Sequence, residues 1–303
     1  MSEVLALAGR SLKIYLRDRS AVFFSLLSAI IVIVLMLVFL GDMSVDSIVN
    51  GLNEMHIGTP EQNKDNATLF VLLWSVGGIL CVNGVTVCSM VTSTMINDFA
   101  GGRLQAFRTA PLSRVKLSLG YIVASWAASS FICAITLAAS EIFAAANGAV
   151  LPDVKGHFIL AAMILVNCFT YSGIMYFAGV LIRSAGAWSG FSTLTGTLVG
   201  FLGAIYIPMG SLPDGVQTFL KCLPVLHGCS MFRSVLTHEI CEKTFDGVPA
   251  EIVDEYMEAM GVTVTFDGNV IDRNLQLAIL GICGIIFIAA AALITSRRYK
   301  SDR

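Results

Sequence analysis

Six stretches of this chain run for 22 residues or more without an Asp, Glu, Lys or Arg: 20–41, 66–97, 117–140, 156–182, 184–213 and 274–296. Each predicts a membrane-spanning helix. About 20 apolar residues, rising 1.5 Å each, cross about 30 Å of hydrocarbon, and a spanning segment must satisfy its own backbone hydrogen bonds. Before the first run, Leu5, Ala8, Leu12 and Leu16 recur at three- and four-residue spacing, with Arg10, Lys13 and Arg17 on another face. That pattern predicts an amphipathic helix lying along the lipid interface. The first run follows some 20 polar or amphipathic residues and lacks a small-x-small exit before Asp42, so it does not read as a cleavable signal.

The connections are short. Residues 42–66 form a polar loop, 141–157 a brief link, and Arg183 alone marks the turn between the fourth and fifth runs. The fifth run ends in GAIYIPMGSLPDGVQTFLKCLPVLHGC, where Pro208, Pro213 and Pro224 predict a broken helix. The half-apolar residues 216–236 then read as short re-entrant helices. Over 237–273 the chain turns acidic, with a helix expected after Pro249 and a hairpin at Asp267-Gly268.

Composition closes off the soluble alternatives. The chain is 56% hydrophobic and 13% charged, with mean hydropathy +0.79, against about 25% charged in ordinary soluble domains. Net charge of −2 is uninformative, but its distribution is not. With the N-terminus inside, Arg10, Lys13, Arg17, Arg19, Arg103, Arg108, Arg114, Lys116, Arg183, Arg297, Arg298, Lys300 and Arg303 all fall on the cytoplasmic side. These are 13 of 19 basic residues, whereas 17 of 21 acidic residues fall outside. The positive-inside rule then sets both termini in the cytoplasm and the chain in the inner or plasma membrane. Of eight cysteines, Cys222, Cys229 and Cys241 fall on the outer side, where a disulfide could form.

The expected fold is therefore all-α and polytopic. An interface helix (1–19) precedes spans 1–5 (20–213), the fifth span broken. Re-entrant helices and a small α/β extracellular cap occupy 214–273, and a sixth span with a basic tail occupies 274–303.

The chain has no phosphate-binding GxxxxGK[ST] motif, no HExxH, no GxSxG and no CxxC. No catalytic residue and no metal site is expected in it, and an intramembrane enzyme would need paired polar groups that the spans lack. Nor do the spans contain an ionisable carboxylate or amine, which argues against proton or sodium coupling. Asn83 and Asn167 are their strongly polar side chains, read either as interhelical hydrogen bonds or as part of a substrate path.

Work must then come from another chain, and INDFAGGRLQAFRTAPLSRVK (96–116) supplies a place for one. Gly101 and Gly102 end the second span. Arg103, Leu104, Phe107 and Arg108 lie on two helical turns, and Pro111 stops them. A short bounded amphiphilic helix of this kind suits a groove on a partner.

With its basic first helix, the segment DFAGGRLQAFRTAPLS and the stretch from Pro208 through Pro224 to Arg233, the whole chain resembles the permease subunits of ABC-2 type exporters. The family's coupling segment often begins with Glu, where this chain has Asp98. The resemblance implies two copies (a homodimer, or a pair with a close paralogue) in membrane lipid, each docked to a cytoplasmic ABC ATPase that holds ATP and Mg²⁺. This chain would bind no cofactor and no nucleic acid. Residues 98–111 and the first helix would receive the push. Asn83, Phe191, Thr195, Phe201 and Tyr206 would line the path, with Pro208, Pro213, Pro224 and Arg233 in the external region. The long cap suggests hydrophobic or amphipathic cargo such as drugs, lipids or small peptides. A lipid-linked glycan exporter, or a sensor or immunity subunit that binds a partner without transport, are the alternatives.

Overall fold

The computed structural model describes residues 2–35, 41–102 and 113–301. Among these, everything regular is helical except one two-stranded hairpin. Helix α1 (Ser2–Arg17) gives way to α2 (Arg19–Leu35) at Asp18, whose carboxylate accepts the Ala21 N–H at 3.0 Å and so starts the second helix. The buried stripe of α1 is Ala8, Ser11 and Tyr15, whereas Leu5 and Leu16 are exposed. The stripe is rotated from the expected leucine face because small residues allow α1 to pack closely on its neighbours. A Cβ on Gly120 would stand 2.7 Å from the Leu7 Cβ.

Residues 42–66 are not a loop. Helix α3 (Gly41–Glu54) buries Val45, Ile48 and Leu52 at three- and four-residue spacing against the next helix. Buried Asn63 holds the turn, donating to Asn53 Oδ1 at 3.2 Å and to the Ile57 carbonyl at 2.8 Å. Helix α4 (Pro60–Ala100) starts early, with Thr59 as its cap and Pro60 in its first turn. Its 41 residues make it about 61 Å long, roughly twice a bilayer core.

Helices α5 (Arg114–Ala146) and α6 (Val154–Leu181) follow, capped by Ser113 and Asp153. Together with α4 and the last helix, α12 (Arg273–Ser301), they are long and apolar enough to cross a membrane. The most apolar window of α4 is 94% buried and that of α12 only 17%, so α4 is the axis of the bundle and α12 lies at its rim. Leu275, Ile282, Ile285, Ile286 and Leu293 on α12 are exposed, a surface suited to lipid rather than water.

The six expected spans are thus matched by four helices of clear spanning character. Helix α2 is described only as far as Leu35, over 17 residues. Helix α7 (Ala185–Leu202) carries four glycines, three threonines and two serines among its 18 residues and does not reach the apolar character of those four.

The fifth run breaks earlier than its prolines suggest. Helix α7 ends at Leu202. Ala204 turns into the left-handed region (φ 49°), and the Ile205 N–H returns to the Gly200 carbonyl at 2.9 Å, a Schellman closure. A short 3₁₀ turn (Met209–Ser211) leads into α8 (Asp214–Lys221) and α9 (Pro224–Leu236), each preceded or opened by a proline. Helices α10 (His238–Thr244) and α11 (Ala250–Ala259) then lead to strands β1 (Thr265–Phe266) and β2 (Asn269–Val270). Asp267 and Gly268, both at positive φ, make the turn. The edge-to-face rings of Phe70 and Phe245, 5.7 Å apart, help hold α10 to the head of α4. Cys222, Cys229 and Cys241 are all free thiols, so no bridge joins them.

Candidate functional site

Asp98 is the sole acidic residue between Asp65 and Glu141, and it sits two residues before the end of α4. It is 1% exposed. A carboxylate buried there needs a cation, and Arg10 of α1 provides one. Its Nη1 and Nη2 reach Oδ2 and Oδ1 at 2.7 and 2.9 Å, a two-pronged pair. Tyr121 of α5 donates its hydroxyl to Oδ2 at 2.8 Å. Three helices therefore meet on one carboxylate. Hydrogen bonding to Asp98 pushes the Arg10 guanidinium pKa above its ordinary value, against the opposing effect of partial burial. The side chain of Asp, shorter than Glu, reaches α1 without difficulty. Lys116, near the start of α5, makes a second tie to Glu3 of α1 at 2.5 Å.

Beyond Asp98, helix α4 stops at Gly101, and Gly102 takes φ 68°, a conformation that glycine adopts freely. The other expected coupling residues, Arg103, Leu104, Phe107, Arg108 and Pro111, lie outside the described residues. Lys13 and Arg17 are exposed on α1, off the face that carries Ala8, Ser11 and Tyr15.

The expected path residues divide. Phe191 and Thr195 are half-buried on α7, with the Phe191 ring 5.3 Å from Trp188. Phe201 is 46% exposed, its ring 5.1 Å from that of Tyr206 just past the helix end. Asn83 does not join them. It is fully buried and donates to Thr136 of α5 at 2.9 Å, so its place is inside the packed bundle. Asn167 is equally buried, wedged between Gly84 and Gly228 where neither glycine could carry a Cβ without a clash.

Pro208 caps the 3₁₀ turn, Pro213 caps α8, and Pro224 opens α9. Arg233 is 0% exposed on α9. Its guanidinium lies 4.0 Å over the Trp74 ring and donates to the carbonyls of Ala204 at 3.0 Å and of Met260 and Gly261 at 3.4 Å. Burial pushes its pKa down to about 10. The Trp74 indole donates to the same Met260 carbonyl at 2.8 Å. One side chain thus ties the end of α7, helix α9, the α11–β1 link and α4 together, which the sequence did not disclose. Nothing in the sequence pattern marks Tyr121 or Trp74 as members of these sites either. A lone acid at a span's end was the available signal for the Asp98 site.

Residues 50–293 match the model of an ABC-2 family transporter protein. The chain belongs to the ABC-2 transporter family. No curated protein matches it. It is a membrane protein of the permease type, and ABC-2 permeases generally work with a cytoplasmic ATPase. The matched region takes in Asp98, Tyr121 and Arg233, while Arg10 precedes it.

Proposed function

We propose that this chain is the transmembrane subunit of an ATP-driven exporter that moves hydrophobic or amphipathic molecules out of the cell. The observation that carries the reading is the pair of Arg10 with buried Asp98. It fastens the amphipathic first helix to α4 at the residue where the coupling segment 98–111 begins. A displacement of that segment would pass to α1 through the ion pair, to α5 through Tyr121, and along α4, the buried axis of the bundle. ATP and Mg²⁺ belong to the partner in this reading, and this chain performs no hydrolysis.

In the same reading the α1 end is cytoplasmic, in line with its basic residues, and residues 237–273 form the external cap. Helices α2 and α7 complete six spans. Gly186, Gly190, Thr193 and Thr197 leave an exposed, small and polar face on α7. Such a face is better covered by a second copy or by a translocation path than by lipid. Arg103 and Arg108 would meet acidic rims on the ATPase, and Leu104 and Phe107 its groove floor.

The test is purification from the native membrane of the natural chain beside a Phe107→Glu, Arg103→Glu variant. An ATPase subunit retained by the first and lost by the second supports the reading. Purification of the natural chain without any ATPase overturns it.

A further inference from the structure

At the ends of α5 and α6 remote from Asp98, a histidine faces a buried carboxylate. Glu141 lies near the end of α5, and its Oε1 is 3.2 Å from Nε2 of His157 in the first turn of α6. The approach is too oblique for a hydrogen bond, so that oxygen, shut off from solvent, has no donor among the described residues. A buried carboxylate oxygen in that state needs a proton or a cation beside it.

The other ring nitrogen fixes where the proton goes. Asp153 caps α6 by accepting the Gly156 N–H on Oδ1 at 2.6 Å. Its carbonyl accepts the His157 backbone N–H at 3.0 Å and stands 2.9 Å from His157 Nδ1. A carbonyl only accepts, so Nδ1 carries the hydrogen. In neutral His157 the Nε2 lone pair is then turned toward the Glu141 carboxylate, and two acceptors meet. One proton on Nε2 converts the conflict into an imidazolium beside a carboxylate. The His157 side chain is 42% exposed and can take that proton from solution, whereas the Glu141 side chain is 11% exposed.

No other charge on the neighbouring elements occupies this spot. The Asp153 carboxylate serves the helix cap. Lys155 is exposed, and residues two apart do not share a helix face. Helix α9 presents Val235 to this turn, and α4 carries no Asp, Glu, Lys or Arg from 66 to 97. Thr170 donates to the Leu280 carbonyl, a register that places Arg273 of α12 level with Met163, about 9 Å along α6 from His157.

We infer that Glu141 and His157 form an acid-set clip between α5 and α6, closed by a proton that His157 Nε2 takes from the outer solution. The clip forms as pH falls through the ordinary histidine value of about 6.5, and is lost below about 4.3, where carboxylates protonate. Closed, it fastens the 147–153 link over the end of α9, where Val235 meets Gly156. That this end faces outside rests on the orientation proposed above.

The test is hydrogen exchange read by mass spectrometry on the full chain in lipid nanodiscs, without any ATPase, at pH 5.5 and pH 8 and corrected for the intrinsic rate. Amides of residues 142–157 should exchange about threefold more slowly at pH 5.5, the effect expected of a partly exposed ion pair. Glu141→Gln and His157→Gln should each abolish that difference. His157→Lys, cationic at both pH values, should keep the segment protected at both. A wild-type chain without the pH difference, or one that persists in both Gln variants, overturns the inference. The measurement needs neither an ATPase nor a sided membrane, so its failure leaves the co-purification result standing, and failure of co-purification leaves the exchange result standing.

Discussion

Replacing Arg10 by Met removes the cation and keeps most of the length of the side chain. Breaking a fully buried ion pair costs about 3–5 kcal/mol, because the remaining charge is stranded. Asp98 is stranded in that sense, at 1% exposure, but Arg10 is 32% exposed, so water can partly take its place. The Tyr121 hydrogen bond also survives and retains about 1 kcal/mol. The net loss should be about 2–3 kcal/mol, a fall of roughly 5 °C in melting temperature. Intrinsic fluorescence melting of the chain in nanodiscs measures it. Adding Asp98→Leu removes the stranded charge, so the double variant should melt higher than the sum of the single losses. A single variant that melts with the wild type, or strict additivity in the double, would show that the pair does not hold α1 to α4.

Arg233→Lys should destabilise the cap end by about 3 kcal/mol, nearly as much as Arg233→Ala, because an ammonium cannot both stack on Trp74 and fork to three carbonyls. Limited proteolysis of residues 237–273 reads this out. Gly120→Leu should displace α1, since even a Cβ there meets Leu7 at 2.7 Å; spin labels on α1 and α5 should move apart. His227 donates its Nε2 N–H to the Lys221 carbonyl at 2.9 Å, its Nδ1 has no partner among the described residues, and burial lowers its pKa. Below its ordinary value of about 6.5 the unfolded chain therefore binds more protons than the folded one, and stability should fall as pH drops through that value. His227→Gln should flatten that part of the pH–melting curve.

Much of this architecture is legible in the residue pattern because a bilayer imposes it. Runs without charge mark helices, and the glycine pair 101–102 marks the end of α4. The Asp267-Gly268 hairpin also follows from local rules, since its two residues supply positive φ without outside help. What failed depended on tertiary partners. Helix α3 reads as a polar loop because only three apolar residues, Val45, Ile48 and Leu52, mark its buried face among polar ones. The prolines from Pro208 onward predict a break in the fifth run, whereas a Schellman closure with Ala204 in a conformation usually left to glycine stops α7 earlier. The Ala204 carbonyl accepts a hydrogen bond from Arg233, 29 residues away, and no local signal encodes that. At the site, Asp98 and Arg10 were each singled out, but their meeting across 88 residues, with Tyr121 as third member, required the fold. Asn83 shows the opposite case, a polar residue in a span whose partner is simply the neighbouring helix.

The account stands most directly on whether this chain moves amphiphiles at the expense of ATP through the segment that begins at Asp98. Inside-out vesicles from cells expressing the chain with its ATPase, loaded externally with rhodamine 6G, measure this as dye accumulation. Accumulation should require ATP, persist when the proton gradient is collapsed, and vanish with Phe107→Glu. Accumulation driven by a proton gradient without ATP, or unchanged by Phe107→Glu, would contradict the account.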